Sequence, residues 1–154
     1  MGLLQMGAMY LGFSVLHLAQ LVMAVTVIGL YAPDLQRANK VGGYVDGKWA
    51  YAVVVGSIAA VTSLIYLIPF VLRIGYIWVW DTIVFILWIA AFGIFGQMYI
   101  KEDAEGDEGI ERMKNAVWVL LTNALLWLIS AVAMGIYWLR HREKHTRFTG
   151  RARV

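Results

Sequence analysis

Four long apolar runs constrain this chain more than any other feature. They extend approximately from Ala8 to Tyr31, Trp49 to Leu72, Tyr76 to Ile100 and Ala116 to Leu139, and each supplies the roughly 20 helical residues needed to cross about 30 Å of hydrocarbon. In lipid, backbone N–H and C=O groups are satisfied only within helices or closed barrels. None of these runs shows the polar/apolar alternation of a barrel strand. The expected fold is therefore all-α, an integral membrane four-helix transmembrane bundle, antiparallel, forming a single domain over 1–154 with a basic tail at 140–154. With 61% of residues hydrophobic and 15% charged, the composition exceeds what the core of a soluble domain uses. No cysteine is present, which excludes disulfides, thiol chemistry and Cys-ligated metal sites.

The runs are separated by "APDLQRANKVGGYVDGK", "RIG" and "KEDAEGDEGIERMKN". The first and third connections belong in water, whereas the second is so short that spans two and three are expected to be antiparallel neighbours. The tail "RHREKHTRFTGRARV" carries Arg140, Arg142, Lys144, Arg147, Arg151 and Arg153, and the excess of Lys and Arg on cytoplasmic segments places that end in the cytoplasm. With four spans, the N-terminus and Arg73 join it. Aromatic side chains mark both interfaces: Tyr10, Tyr76, Trp78, Trp80, Tyr137 and Trp138 on the inner side, and Tyr31, Trp49, Tyr51, Tyr99 and Trp118 on the outer. The first run is too long for a signal-peptide core and lacks a basic leader, so it is read as retained.

Polar residues within the runs are the candidate functional groups. Asp81 stands in "RIGYIWVWDTIVFILWIAAFGIFG", near the inner boundary, and admits two readings. It can cap the N-terminus of the third helix, where the backbone dipole favours negative charge, or it can face the bundle and pair with His17, Ser63 or Ser130 at comparable depth. His17 and Gln20 are spaced i, i+3 and share a helix face. A buried His and Asp are the raw material of a proton relay, although such groups more often hold helices together. Gln97 and Asn123, toward the outer half, are expected to act as such interhelical glue. Gly56 with Ala60, and Ala131 with Gly135, have the small-xxx-small spacing that lets helices approach closely. Pro69 should bend or end the second helix.

No Gly-rich phosphate loop, H-E-x-x-H or G-x-S-x-G motif occurs, so no enzyme activity, metal or cofactor is expected. The acidic loop lacks the calcium-binding spacing. The juxtamembrane bases suit anionic lipid headgroups, at about 1 kcal/mol per residue near the surface. Arg73, Tyr76, Trp78, Tyr137, Arg140, Arg142 and Lys144 are the candidate lipid-binding residues. "RIGYIWV" and "VAMGIYWLR" also fit permissive sterol-contact patterns.

The chain resembles the MARVEL-domain family of four-span membrane proteins, particularly its short fungal members. The resemblance covers nearly the full length. It rests on the first span ending in "GLYAPD", the hairpin before "WDTIVFILWIAAFGIFG", and "AVWVLLTNALLWLISAVAMGIYW" followed by a basic tail. It implies a non-enzymatic protein of the plasma membrane or endomembrane system that organises or sorts sterol- or sphingolipid-rich membrane, with Trp80, Asp81 and Trp88 in a third-span region that similar proteins also fill with an acidic residue and tryptophan. The alternatives are a small oligomeric transporter or channel using Asp81 and His17, and an accessory subunit of a larger membrane complex. Expected partners are membrane lipids, a second copy or another membrane protein, and no nucleic acid.

Overall fold

Helices carry almost the whole described chain, and no strand occurs among the described residues. The computed structural model describes residues 3–40, 47–68, 71, 76–103, 105–106 and 108–146, with side chains placed except at 3–9, 38 and 141–146. The helices are α1 (Leu3–Lys40), α2 (Gly47–Tyr66), α3 (Ile77–Tyr99) and α4 (Glu108–Thr146). Each contains a stretch long and apolar enough to cross a membrane: Tyr10–Arg37, Gly47–Tyr66, Ile77–Tyr99 and Glu108–Arg140.

Helix α1 starts before Ala8 and α4 runs past Leu139, and three further helix ends differ from the sequence expectation for a local reason. Helix α1 passes Tyr31 and continues through Pro33 to Lys40. Proline removes one backbone hydrogen bond there, but continuation keeps Asp34 on the face of Tyr31, where Arg112 binds it. Helix α2 stops at Tyr66, well before Leu72, and the chain leaves it through the tighter bonds Ile68 N–H to Ile65 O and Val71 N–H to Ile68 O. The residue before a proline is pushed out of the α region, which accounts for the stop ahead of Pro69. The link to α3 is thus longer than "RIG". Helix α4 starts early, at Glu108, with Glu108 and Glu111 in its first turn where the helix dipole favours acids.

Each helix buries one stripe with steps of three and four residues. On α1 it comprises His17, Gln20, Ala24, Val27, Tyr31 and Asp34, and on α3 Ile77, Asp81, Val84, Trp88, Ala91 and Phe95. Helix α4 buries Met113, Val117, Leu120, Ala124, Trp127, Ala131 and Met134 along the same repeat. Such spacing averages 3.5 residues, the period that keeps a seam facing its neighbour along a supercoiled bundle.

The most extensive packing is α3 on α4 and α1 on α2, followed by α1 on α4. Helices α2 and α3, consecutive in sequence, share less than any of these three pairs. Their seam is spanned by long side chains: Trp80 Nε1 donates to Thr62 Oγ1 at 3.2 Å and the Tyr51 hydroxyl to the Leu87 carbonyl at 3.0 Å. Between α1 and α2 the backbones come close because position 56 is glycine. A Cβ there would stand 3.0 Å from Ile28 Cγ1 and 3.4 Å from the Ala24 carbonyl oxygen. Gly135, by contrast, has nothing within 4 Å of a built Cβ, so the expected contact through Ala131 and Gly135 is made by Ala131 alone within this chain.

The outer surface inverts the pattern of a soluble protein. Leu11, Val22, Ile86, Trp118 and Ile129 are among many large apolar residues more than half exposed, while His17, Gln20, Ser63, Asp81, Asn123 and Ser130 are fully buried. Apolar surface this extensive needs an apolar surrounding. One prediction concerns packing: Gly56→Leu should lower unfolding free energy in mixed micelles by about 1–3 kcal/mol through overpacking, whereas Gly135→Leu should leave it within about 0.5 kcal/mol. Equal losses in the two variants would refute the close α1–α2 approach.

Candidate functional site: a buried polar cluster

Four stripes place polar side chains together at one end of the bundle. Helix α1 contributes His17 and Gln20, α2 contributes Ser63 and Tyr66, α3 contributes Asp81, and α4 contributes Trp127 and Ser130. Asp81 does not cap α3. The helix begins at Ile77 after Tyr76, which makes no side-chain cap, so Asp81 falls in the second turn and points inward. Of its three expected partners, Ser130 is the one bonded: its hydroxyl donates to Asp81 Oδ2 at 2.6 Å. The Tyr66 phenol faces the same carboxylate.

Tyr66 links that half of the cluster to the other. Its ring meets His17 edge-on at a centroid separation of 4.9 Å and lies 6.3 Å from Trp127. His17 in turn bonds Gln20 across one helical turn, Nδ1 to Oε1 at 2.7 Å, and Gln20 Nε2 donates to the Leu126 carbonyl on α4 at 3.2 Å. These contacts fix the protons. A carbonyl only accepts, so the amide nitrogen of Gln20 must point at Leu126 and its oxygen at His17, which makes Nδ1 of His17 the donor. His17 Nε2 therefore carries a lone pair when the ring is neutral. Gln20 thus joins α1 to α4, as an interhelical bond was expected to do.

The cluster is incompletely satisfied by protein. His17 Nε2, Ser63 Oγ, Asp81 Oδ1 and Trp127 Nε1 are buried without a protein hydrogen-bond partner. An unmet buried group costs about 1–3 kcal/mol, and buried polar atoms without a protein partner also occur outside the cluster, at Tyr31, Trp78, Trp88, Arg112 and Asn123.

A second polar contact, absent from the sequence reading, lies toward the other end of α1 and α4. Asp34, 7% exposed, accepts two bonds from Arg112 Nη2, at 2.9 Å to Oδ1 and 2.8 Å to Oδ2. Arg37 stands at 3.9 Å. The signal available was register: Asp34 follows Tyr31 on the stripe that begins at His17.

Other expectations fare differently. Asn123 is buried but donates to Val119 O of its own helix at 3.0 Å, so it does not glue helices. Gln97 is exposed on the outward face of α3. Tyr31 is fully buried against Phe95, with centroids 4.6 Å apart, because α1 continues beyond it; it cannot belong to an interfacial belt. Trp80 is partly exposed and Trp88 fully buried. Among the proposed lipid-binding residues Tyr76 is 74% exposed, Tyr137 and Arg140 are exposed, and Trp78 packs on Trp138 at 5.9 Å. Arg73 and the side chains of Arg142 and Lys144 lie outside the described residues. Among the described residues no group of three or more His, Cys, Asp or Glu is placed to hold a metal.

The Asp34 contact generates a prediction. Arg112→Gln should destabilise the protein in micelles by about 1–3 kcal/mol, less than a fully enclosed pair because the guanidinium side is 38% exposed and screened. Adding Asp34→Asn should recover part of that loss; no recovery would mean the carboxylate was not left stranded. Comparison with family models, with curated proteins and with solved structures gave no match to this chain.

Proposed function

We propose that this chain is a non-enzymatic, multi-pass membrane protein that organises or sorts its surrounding bilayer, in the manner that its resemblance to MARVEL-domain proteins implies. In this reading the four helices run antiparallel, with both termini in the cytoplasm. The residue pairing supports that arrangement: as α1 advances from Gln20 to Asp34, its α4 partners retreat from Leu126 to Arg112. The observation that carries the reading is the apolar outward surface presented by all four helices. Such a surface offers lipid a large contact area, and the exposed rings of Tyr76, Trp80 and Trp118 suit the headgroup boundary. The basic tail adds attraction for anionic lipid.

A transporter using Asp81 and His17 is the second reading, favoured by their convergence on Tyr66. Against it stands the interior between this cluster and Asp34. That region is filled by Val27, Val55, Trp88, Phe95 and Leu120, with Asn123 as the buried polar residue among them. A polar route would have to cross this plug.

The two readings separate in vesicles. Reconstituted protein should partition unequally between sterol- or sphingolipid-rich and fluid lipid phases, and Arg140, Arg142 and Lys144 changed together to Gln should weaken binding to anionic vesicles severalfold. No phase preference together with unchanged tail dependence would sink the organiser reading. Proton or solute flux that is present in wild type and abolished in Asp81→Asn would establish the transporter instead.

A further inference from the structure

We infer that Asp81 is a proton-binding latch: at neutral pH it sits in the bundle as a carboxylic acid, and loss of that proton loosens the seam between α2 and α3. The first argument is charge. Asp81 is fully buried, and among the described residues no lysine or arginine is buried with it. The Arg112 guanidinium of α4 is committed to Asp34. The titratable groups on the helices packed around Asp81 are His17 from α1 and Tyr66 from α2, while the buried face of α4 presents Trp127, Ser130 and Met134 at this depth, none of which titrates. His17 is engaged elsewhere, its Nδ1 with Gln20 and its ring edge-on against Tyr66. The carboxyl group itself meets hydroxyls: Ser130 donates to Oδ2 at 2.6 Å and the Tyr66 phenol faces it. A hydroxyl brings no compensating charge, and a buried carboxyl group without a cation keeps its proton in preference to its charge.

The second argument is geometry. Because Ser130 donates to Oδ2, that atom is the accepting carbonyl oxygen of the acid, and Oδ1, buried without a protein partner, carries the proton. Asp81 also stands where three helices meet. Its bond to Ser130 lies within the most extensive helix contact, α3 on α4, but its approach to Tyr66 crosses the sparser α2–α3 seam. Trp80, the preceding residue, spans the same seam to Thr62. An ionised Asp81 demands hydration, and the sparsely packed seam beside it is where the helices part to supply water. The folded chain thus holds a proton that a water-exposed aspartate releases well below neutral pH. Its stabilisation is present while Asp81 is protonated and declines as pH rises toward the point where the proton leaves.

The experiment uses the full chain in lipid nanodiscs, with isotope-labelled aspartate followed by infrared spectroscopy. At neutral pH the wild type should show a carboxylic-acid band that is missing in Asp81→Asn. Ser130→Ala, which removes the donor to Oδ2, should shift that band to higher frequency, and this identifies it should the Asn variant fail to fold. Absence of an acid band at neutral pH overturns the proposal, whatever cation accompanies the carboxylate. Raising the pH should then remove the band and, over the same range, speed amide exchange severalfold at the end of α2 and the start of α3, after correction for the intrinsic pH dependence of exchange. Asp81→Asn, a neutral side chain of the same shape, should show no such step. A band that persists at alkaline pH, a band lost without faster exchange, or an equal step in Asp81→Asn overturns the latch.

Discussion

A polar side chain on a helix surrounded by hydrocarbon finds partners only on neighbouring helices, and that requirement orients this bundle. Asp81, His17, Gln20 and Ser130 all occupy buried stripe positions, although each has ample apolar company outside. Turning any of these helices by half a turn would put an unpaired carboxylate, imidazole or amide into lipid. The cost is several kcal/mol for the carboxylate alone. Burial of apolar surface cannot set the rotation here, because lipid is as apolar as the interior. Polar satisfaction and close packing set it instead.

The two ends of the bundle meet that requirement differently. Near Asp34 the charges are matched, a carboxylate and a guanidinium sharing two short bonds that join α1 to α4, while Arg112 Nε is buried without a protein partner. Near Asp81 the requirement is met in part, with a serine and a tyrosine in place of a cation and several polar atoms left over. Between them the packing is tight and apolar, made possible by Gly56, Ala24, Ala52 and Ala59 where α1 meets α2. The α2–α3 seam is the exception, held by the reach of Tyr51 and Trp80 across a wider gap. It is the side of the polar cluster with the least backbone packing around it.

Some of the site was legible in the sequence. His17 and Gln20 at i, i+3, and Ser130 as a partner for Asp81, follow from helix spacing and depth alone. The capping role for Asp81 failed because α3 begins a full turn earlier, at Ile77, in apolar residues that carry no start signal. Tyr66 escaped notice since it lay mid-run on the expected boundaries of the second span, whereas α2 ends there. Asp34 was read as punctuation after a proline. Its role depends on α1 tolerating Pro33, which tertiary contacts decide. Asn123 and Gln97 show the converse limit: an amide on a membrane helix can bond its own backbone or face outward, and composition does not distinguish these from an interhelical bond.

What the sequence by itself determined was the number of helices and the inventory of polar groups they must accommodate, because hydrocarbon thickness and backbone hydrogen bonding leave an apolar run of that length one regular structure. What only the tertiary structure decided was which face of each helix is inside and which polar atoms meet. Membrane helices are apolar nearly all round, so hydrophobic periodicity does not select a face. The selection comes from contacts between residues far apart in sequence, Asp81 with Ser130 and Asp34 with Arg112, and those exist once the four helices are assembled.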